Sequence, residues 1–124
     1  MSKYGNKKTE IDGHLFDSKK EGLRYQTLKR LEETGEIDCL ELQPEYVVQE
    51  SFKRNGKTHR AIKVRLDFRY IEDKGLIVED FKGMLTDVYK LKKKLFLNYV
   101  EREDLELTFR ESVYKNGEFA YKDY

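Results

Sequence analysis

The stretch VRLDFRYIEDKGLIVEDFKG, residues 64–83, predicts two strands joined by a turn and carries acids at its centre. Apolar and aromatic residues on both sides of the turn-forming EDKG at 72–75 are typical of strands. If that loop contains no bulge, Ile71 faces Leu76, and counting back places Asp67 opposite Asp80. Like charges placed directly opposite destabilise a sheet, so this pair requires compensation.

Three agents can compensate such a pair: a bound cation, a raised pKa that keeps one acid protonated, or salt bridges. The bases for salt bridges are at hand, since the same register places Arg65 opposite Lys82 and Arg69 lies nearby. A cation is favoured because Asp80 follows the apolar run at 76–78, where a strand leaves the core. Hard divalent ions such as Mg²⁺ prefer carboxylate oxygens.

A third acid, Glu21, stands at the start of a predicted helix. Ser18 is a fair N-cap with Glu21 three residues later, which is the pattern of a capping box. The helix is expected to continue to about Thr34, with Gly35 as its C-terminal cap. At 100° per residue Glu21 shares the face of Tyr25 and Leu28, which packs on the sheet. Two interpretations stay open: Glu21 caps the Ser18 amide, or it serves as a ligand.

The remaining pattern predicts one domain over 1–124, with its core at about 10–114 and a tail or short hairpin at 115–124. Residues 37–43 read as a short extended or turn segment. Strands are expected at 46–52, 58–71, 76–82 and 105–114, with an Asn55-Gly56 turn after the first. A second helix is expected at 87–99, with Thr86 as N-cap and an apolar stripe. The stripe comprises Val88, Leu91, Leu95 and Tyr99. The element order is α-β-β-β-α-β, a mixed α/β (α+β) fold with a central mixed sheet flanked by helices.

Charge is abundant and uneven along the chain. Charged residues make up 40%, against about 25% in ordinary globular chains, but nine Tyr and seven Phe supply the buried area that disordered chains lack. Acids fill 32–50 without a base and bases fill 51–65 without an acid, although the net charge is only +1. A basic face for nucleic acid and solvated faces of mixed sign are equally compatible with this pattern.

Cys39 is the single cysteine, which excludes an intrachain disulfide, and its apolar neighbours predict that it is buried. No stretch is apolar and long enough to span a bilayer, and the first ten residues lack the apolar run of a secretory signal. We therefore expect no membrane association and a cytoplasmic location.

The ordered set of Glu21, Asp67 and Asp80-Phe81-Lys82 resembles the PD-(D/E)XK nuclease superfamily. More narrowly, KKTEIDGHLFDSKKEGLRYQTLKRLE, LQPEY, LDFRYIED and VEDFKG, followed by a Lys-rich helix, resemble a family of small phage-encoded proteins related to Holliday junction resolvases. The similarity covers roughly residues 3 to 110; Leu66 stands where the superfamily often has proline, and the tail after Arg110 has no counterpart. The resemblance implies a restriction-endonuclease-like core.

The resemblance also implies metal-dependent hydrolysis of phosphodiesters. Asp67, Asp80 and the Phe81 carbonyl would hold Mg²⁺, which Mn²⁺ can replace, and Glu21 would help to hold a second ion or its waters. Lys82 would orient the attacking water or stabilise transition-state charge. The expected function is an endonuclease acting on branched DNA, in particular a phage Holliday junction resolvase working as a homodimer in the host cytoplasm, with no small-molecule cofactor. A flap, nicking or restriction-like nuclease and a catalytically silent DNA-binding module are the alternatives.

Further residues are candidates for DNA contact. Lys90 and Lys94 lie four apart on one face of the second helix, close to the acids in sequence. Lys53, Arg54 and Lys57 surround the predicted hairpin tip. Gln43 is a candidate for lining the site, with a turn before Pro44 as the other interpretation.

Overall fold

The computed structural model describes residues 8–83 and 85–124. Residues 1–7, most of the stretch in which no secretory signal was found, lie outside the described residues, as does Met84. In chain order the elements are β1 (Thr9–Ile11), β2 (His14–Phe16), α1 (Lys19–Glu33), β3 (Asp38–Leu42), β4 (Glu45–Gln49), β5 (Phe52–Arg54), β6 (Lys57–His59), β7 (Ile62–Arg65), β8 (Phe68–Glu72), β9 (Gly75–Phe81), α2 (Asp87–Arg102), β10 (Thr108–Lys115) and β11 (Glu118–Asp123). Neither helix is long and apolar enough to cross a membrane, within the described part of the chain.

A five-stranded mixed sheet organises the molecule, with strand order β11-β10-β9-β8-β3. Strands β9 and β10 run parallel, and the other neighbours are antiparallel. Helix α1 packs on the face that carries Phe68, Tyr70 and Ile77, while α2 packs on the face that carries Val78 and Phe109. Since Ile77 and Val78 are consecutive in β9, the two helices flank opposite faces. The expected mixed α+β class is confirmed.

The predicted single strand at 58–71 is wrong, because the chain divides it into β6, β7 and β8. Strand β7 pairs with β4 outside the main sheet, whereas β8 pairs with β3 and β9 inside it. The change of partner falls at Leu66 and Asp67, whose N–H groups donate to the carbonyls of Pro44 and Glu79. This break matters for the site, because it places Asp67 at the end of the sheet and ahead of β8.

The segment 37–43 forms edge strand β3, in which the prediction that Cys39 is buried is wrong. The register of β3 against β8 shifts between Asp38 and Glu41, and Cys39 adopts a φ of 57°. The irregular backbone turns the thiol outward, so Cys39 is exposed. Ile37, rather than Cys39, is buried in the core and is 2% exposed.

The β8–β9 hairpin has the predicted register, with Ile71 paired to Leu76. Its turn is Asp73-Lys74, and both residues adopt positive φ, as two-residue hairpin turns require. The Asn55-Gly56 turn between β5 and β6 forms as predicted. At the C-terminus Asn116-Gly117 makes the same kind of turn, and β11 pairs along the outer edge of β10. The C-terminal segment is therefore the second strand of a hairpin whose first strand is β10.

Both helices have the predicted N-caps, because the Ser18 and Thr86 hydroxyls accept from the Glu21 and Tyr89 amides. Gly22 lets α1 approach the β1–β2 hairpin closely, since a Cβ there would lie 2.8 Å from the Ile11 Cδ1. Helix α2 extends to Arg102, and the predicted apolar stripe on it is wrong in part. Val88 and Leu91 are 78% and 58% exposed. The side turned inward carries Tyr89, Lys92, Lys93, Phe96 and Val100.

A buried ion pair joins α1 to the sheet. The Arg24 guanidinium donates to both oxygens of Glu79, with Nε–Oε2 at 2.7 Å and Nη2–Oε1 at 2.9 Å. The Tyr70 hydroxyl and the Ser112 hydroxyl donate to the same carboxylate, at 2.5 and 2.6 Å. Glu79 has no exposed surface. Its charge is therefore fully compensated within the fold, and it is a structural acid.

Replacing Arg24 by Met is expected to lower the free energy of unfolding by about 3–5 kcal/mol, because the Glu79 carboxylate would remain buried without its counter-ion. Urea denaturation measures the change. Lys29→Met is the matched control, since it breaks the exposed Lys29–Glu32 pair of the same helix and is expected to unfold like the wild type. Equal midpoints for the two variants would contradict the structural role of the Arg24–Glu79 pair.

Candidate active site

Three acids meet at the end of the sheet where β8 begins and β9 ends. We call Glu21, Asp67 and Asp80 the acid cluster. Asp67 lies directly before β8, Asp80 is the penultimate residue of β9, and Glu21 is in the first turn of α1. Phe68 pairs with Glu79, so the next residues outward, Asp67 and Asp80, are neighbours. Asp80 is 3% exposed and Glu21 7% exposed. The cluster is thus largely withdrawn from water.

Burial and mutual repulsion make this cluster electrostatically strained. Burial raises the pKa of Asp67 well above its usual value, and the nearby Asp80 and Glu21 carboxylates raise it further. Burial also raises the pKa of Asp80, against the opposing effect of the Lys92 ammonium and of a hydrogen bond with Asp67. Repulsion of this kind is relieved by a proton or by a cation.

Glu21 makes a capping contact that differs from the predicted one, and it also lies beside Asp67. Its Oε2 accepts from the backbone amide of Asp17 at 3.0 Å, so the capping contact is made one residue earlier than the predicted Ser18 amide. The same carboxylate lies close enough to Asp67 to raise the pKa of that acid. Capping therefore holds Glu21 in place while leaving it at the cluster.

Backbone groups also reach the cluster. The Phe81 amide donates to Asp67 Oδ2 at 2.7 Å, and the Gln43 amide donates to the Asp67 carbonyl at 2.9 Å. Gln43 adopts a φ of 54° and lines a cleft of about 490 Å³ together with Asp17 and Arg65. Gln43 thus lies beside the acids, in the turn that precedes Pro44.

Lys82 directly follows β9, two residues after Asp80, and its ammonium is 3.7 Å from Glu111. Glu111 is paired with Asp80 in the β9–β10 register and is 8% exposed. The expectation that Arg65 lies opposite Lys82 is wrong. Arg65 belongs to β7 and pairs with Glu45, while the Lys82 amide bonds to Ser112 in β10.

Two lysines that sequence reasoning did not single out face the acids from α2. Lys92 Nζ lies 3.0 Å from Asp80 Oδ2, and Lys93 Nζ lies 3.3 Å from Glu111 Oε2. Tyr89, one turn earlier, donates its hydroxyl to the same Glu111 oxygen. A signal was available: residues 89, 92, 93 and 96 have the spacing of one helix face, which an apolar-only stripe overlooks.

The predicted DNA-contact residues fall in two places. Lys90 and Lys94 are exposed on α2 and line a cleft of about 710 Å³, the α2 cleft, together with Lys82, Lys93, Glu111 and Tyr124. Lys53, Arg54 and Lys57 are exposed on the β5–β6 hairpin. Within residues 8–83 and 85–124, no hydrogen bond or ion pair links that hairpin to the acid cluster. Lys90 and Lys94 therefore share a cleft with the candidate residue Lys82.

The acid cluster offers oxygen ligands but not a finished metal site. Across the described residues, no group of three His, Cys, Asp or Glu side chains is arranged to hold a metal ion. Protein donors already engage oxygens of the cluster: Phe81 N–H on Asp67, Asp17 N–H on Glu21 and Lys92 on Asp80. One oxygen differs, since Asp80 Oδ1 is buried without a hydrogen-bond partner. Such an orphaned carboxylate oxygen fits a hard divalent cation.

The chain belongs to the protein family described as "Protein of unknown function (DUF1064)", whose model matches residues 1–117. The crystal structure of SSO0001 is similar, with a TM-score of 0.49 and 16% sequence identity. That similarity covers 83% of this chain and 48% of the other, so the chain spans about half the length of that structure. No curated protein matches the chain.

Asp67→Asn is expected to raise the melting temperature of the metal-free protein at pH 7 by about 3–6 °C, equivalent to roughly 1 kcal/mol. Asparagine removes the repelled charge, and its amide oxygen still accepts from the Phe81 N–H. An acid whose pKa rises on folding holds its proton more tightly in the folded state. Wild-type stability therefore falls as the pH rises from about 3.9 through the raised pKa of Asp67.

Thermal melts between pH 4 and pH 8 with a chelator present measure this effect. The difference in melting temperature between Asp67→Asn and the wild type should vanish near pH 4, where Asp67 in the folded protein is protonated and uncharged like asparagine. It should grow toward pH 7. Asp104→Asn is the control, because Asp104 is exposed and has a positive φ that Asn tolerates. An Asp67→Asn variant that melts at or below the wild-type temperature at pH 7 would show that Asp67 is not strained.

Proposed function

We propose that the protein is a Mg²⁺-dependent endonuclease that cleaves branched DNA, specifically a Holliday junction resolvase of the PD-(D/E)XK superfamily. The observation that carries this proposal is the convergence of Glu21, Asp67 and Asp80 from three different elements, with one buried Asp80 oxygen left unsatisfied. Stabilising a fold gains nothing from such an arrangement, since buried acids that repel one another destabilise it. A site that binds a divalent cation does gain from it.

Asp67 and Asp80 would hold the ion, with the Phe81 carbonyl as a further ligand. That carbonyl leaves β9 on the same side as the Phe81 N–H, which already reaches Asp67. Glu21 would hold water or a second ion. A bound Mg²⁺ lowers the pKa of its water and neutralises charge that develops on the phosphate, and Mn²⁺ can replace it.

Lys82 directly follows β9, two residues after Asp80, and its ammonium would orient a water or stabilise charge on the phosphate. Glu111 holds that ammonium at 3.7 Å and is itself anchored by Tyr89 and Lys93. The lysine is therefore positioned by a salt bridge from the adjacent strand. A preorganised cation loses less free energy than a mobile one when substrate arrives.

The DNA backbone would cross the α2 cleft, where Lys90 and Lys94 provide exposed ammonium groups beside Lys82. The cations of the β5–β6 hairpin, Lys53, Arg54 and Lys57, would contact phosphates further along a branched substrate. Two symmetric incisions in a four-way junction call for a two-fold homodimer. We propose that the protein is phage-encoded and acts in the cytoplasm of the host cell.

Cleavage assays on a synthetic four-way junction, a flap and a plain duplex, each with Mg²⁺ or with a chelator, test the proposal. Symmetric cuts near the crossover of the four-way junction are expected when Mg²⁺ is present and not when the chelator is present. Asp80→Asn is expected to lower the rate at least about 100-fold, because it removes a charged ligand of the ion.

Asp73→Asn is the matched control, since Asp73 is exposed in the turn of the same hairpin, where its φ of 49° suits Asn. It should cut like the wild type. Cutting of flaps but not junctions would assign the protein to another nuclease class on this fold. Junction binding without any cut would instead identify a catalytically silent DNA-binding module.

A further inference from the structure

The ammonium of Lys92 lies 3.0 Å from Asp80 Oδ2, within hydrogen-bonding distance of the same carboxylate whose other oxygen has no partner. Lys92 is on the inward side of α2, where a helix packed on a sheet normally carries apolar residues. Asp80 is the acid with which Lys92 forms an ion pair among the described residues. A lysine in this position supplies positive charge to the acid cluster from within the chain.

We propose that Lys92 is a built-in counter-ion of Asp80 that competes with the divalent ion for this carboxylate. The inference rests on the proposed function, because it assumes that the cluster binds a divalent cation. The Asp80 oxygen facing α2 is already neutralised by an ammonium.

Lys92 and a divalent cation compete for Asp80 for an electrostatic reason and a steric reason. An ammonium and a divalent cation bound to one carboxylate repel each other strongly, because the surrounding protein screens charge poorly. A cation that takes both Asp80 oxygens must also displace the group that sits on Oδ2. Lys92 therefore has to move for the ion to bind with full strength.

The Lys92 side chain can move away from Asp80 into solvent. It is 28% exposed, whereas the side chain of its partner Asp80 is 4% exposed. A lysine stem is flexible, so its ammonium can swing into water while the helix stays in place. The Arg24–Glu79 pair on the other face differs in this respect, since Arg24 is 7% exposed and is locked by two parallel hydrogen bonds.

Lys93 and Lys82 do not share this role. Both are paired with Glu111, on the next strand, at 3.3 and 3.7 Å. They can remain in place when a cation binds Asp80. Lys92 is thus the lysine whose removal should strengthen metal binding, and Lys94, two residues further along the same helix and exposed, is its matched control.

Mn²⁺ binding measured by titration calorimetry on the metal-stripped full chain tests the inference without any cleavage assay. Lys92→Met and Lys92→Gln are each expected to bind Mn²⁺ about three- to tenfold more tightly than the wild type, since the competing ion pair is lost. Lys94→Met removes the same charge from the same helix and should change the affinity by less than about twofold, because it acts only through screened long-range charge. Circular dichroism verifies that each variant is folded, and the two Lys92 variants guard against a defect peculiar to one of them.

Mn²⁺ binding by the Lys92 variants that is equal to or weaker than wild-type binding would overturn the inference and leave the proposed function standing. Equal tightening in Lys92→Met and Lys94→Met would also overturn it, because the effect would then be general electrostatics. Absence of Mn²⁺ binding in the wild type and in both Lys92 variants would overturn the proposed function and this inference together.

Discussion

Negative charge is buried at the end of the five-stranded sheet, and the packing of both helices is built around it. Two consecutive acids of β9, Glu79 and Asp80, have opposite environments. Glu79 points to the α1 face and is satisfied by Arg24, Tyr70 and Ser112, with no surface exposed. Asp80 points to the α2 face and has one lysine on Oδ2 and nothing on Oδ1. The first arrangement is closed and stabilises the fold, while the second is open to a ligand.

Each helix supplies the bases for the sheet face that it covers. Helix α1 provides Arg24 for Glu79, and α2 provides Lys92 for Asp80 and Lys93 for Glu111. The polar centre of the sheet therefore requires both helices in their observed registers. The α2 cleft forms along the same helix, so the fold places exposed lysines next to Lys82 and Glu111.

The sequence was sufficient for the features that follow from local rules. The register of the β8–β9 hairpin was predictable from alternation and turn chemistry, and both N-caps from the hydroxyl residue before each helix. The break of the strand at 58–71 was not, because it depends on Pro44 and Glu79 accepting from Leu66 and Asp67, which are tertiary contacts. The roles of Lys92 and Lys93 were missed for a related reason. A charged residue turned toward a sheet is recognisable only once the opposing acids are placed.

A crystal structure grown with Mn²⁺ tests whether the acid cluster binds a divalent cation. An anomalous peak from one or two ions between Asp67 and Asp80, with the Lys92 ammonium moved off Asp80, is the predicted result. Contradiction would come from well-ordered Asp67 and Asp80 side chains with no anomalous peak at saturating Mn²⁺ and the Lys92 ammonium still bound to Asp80.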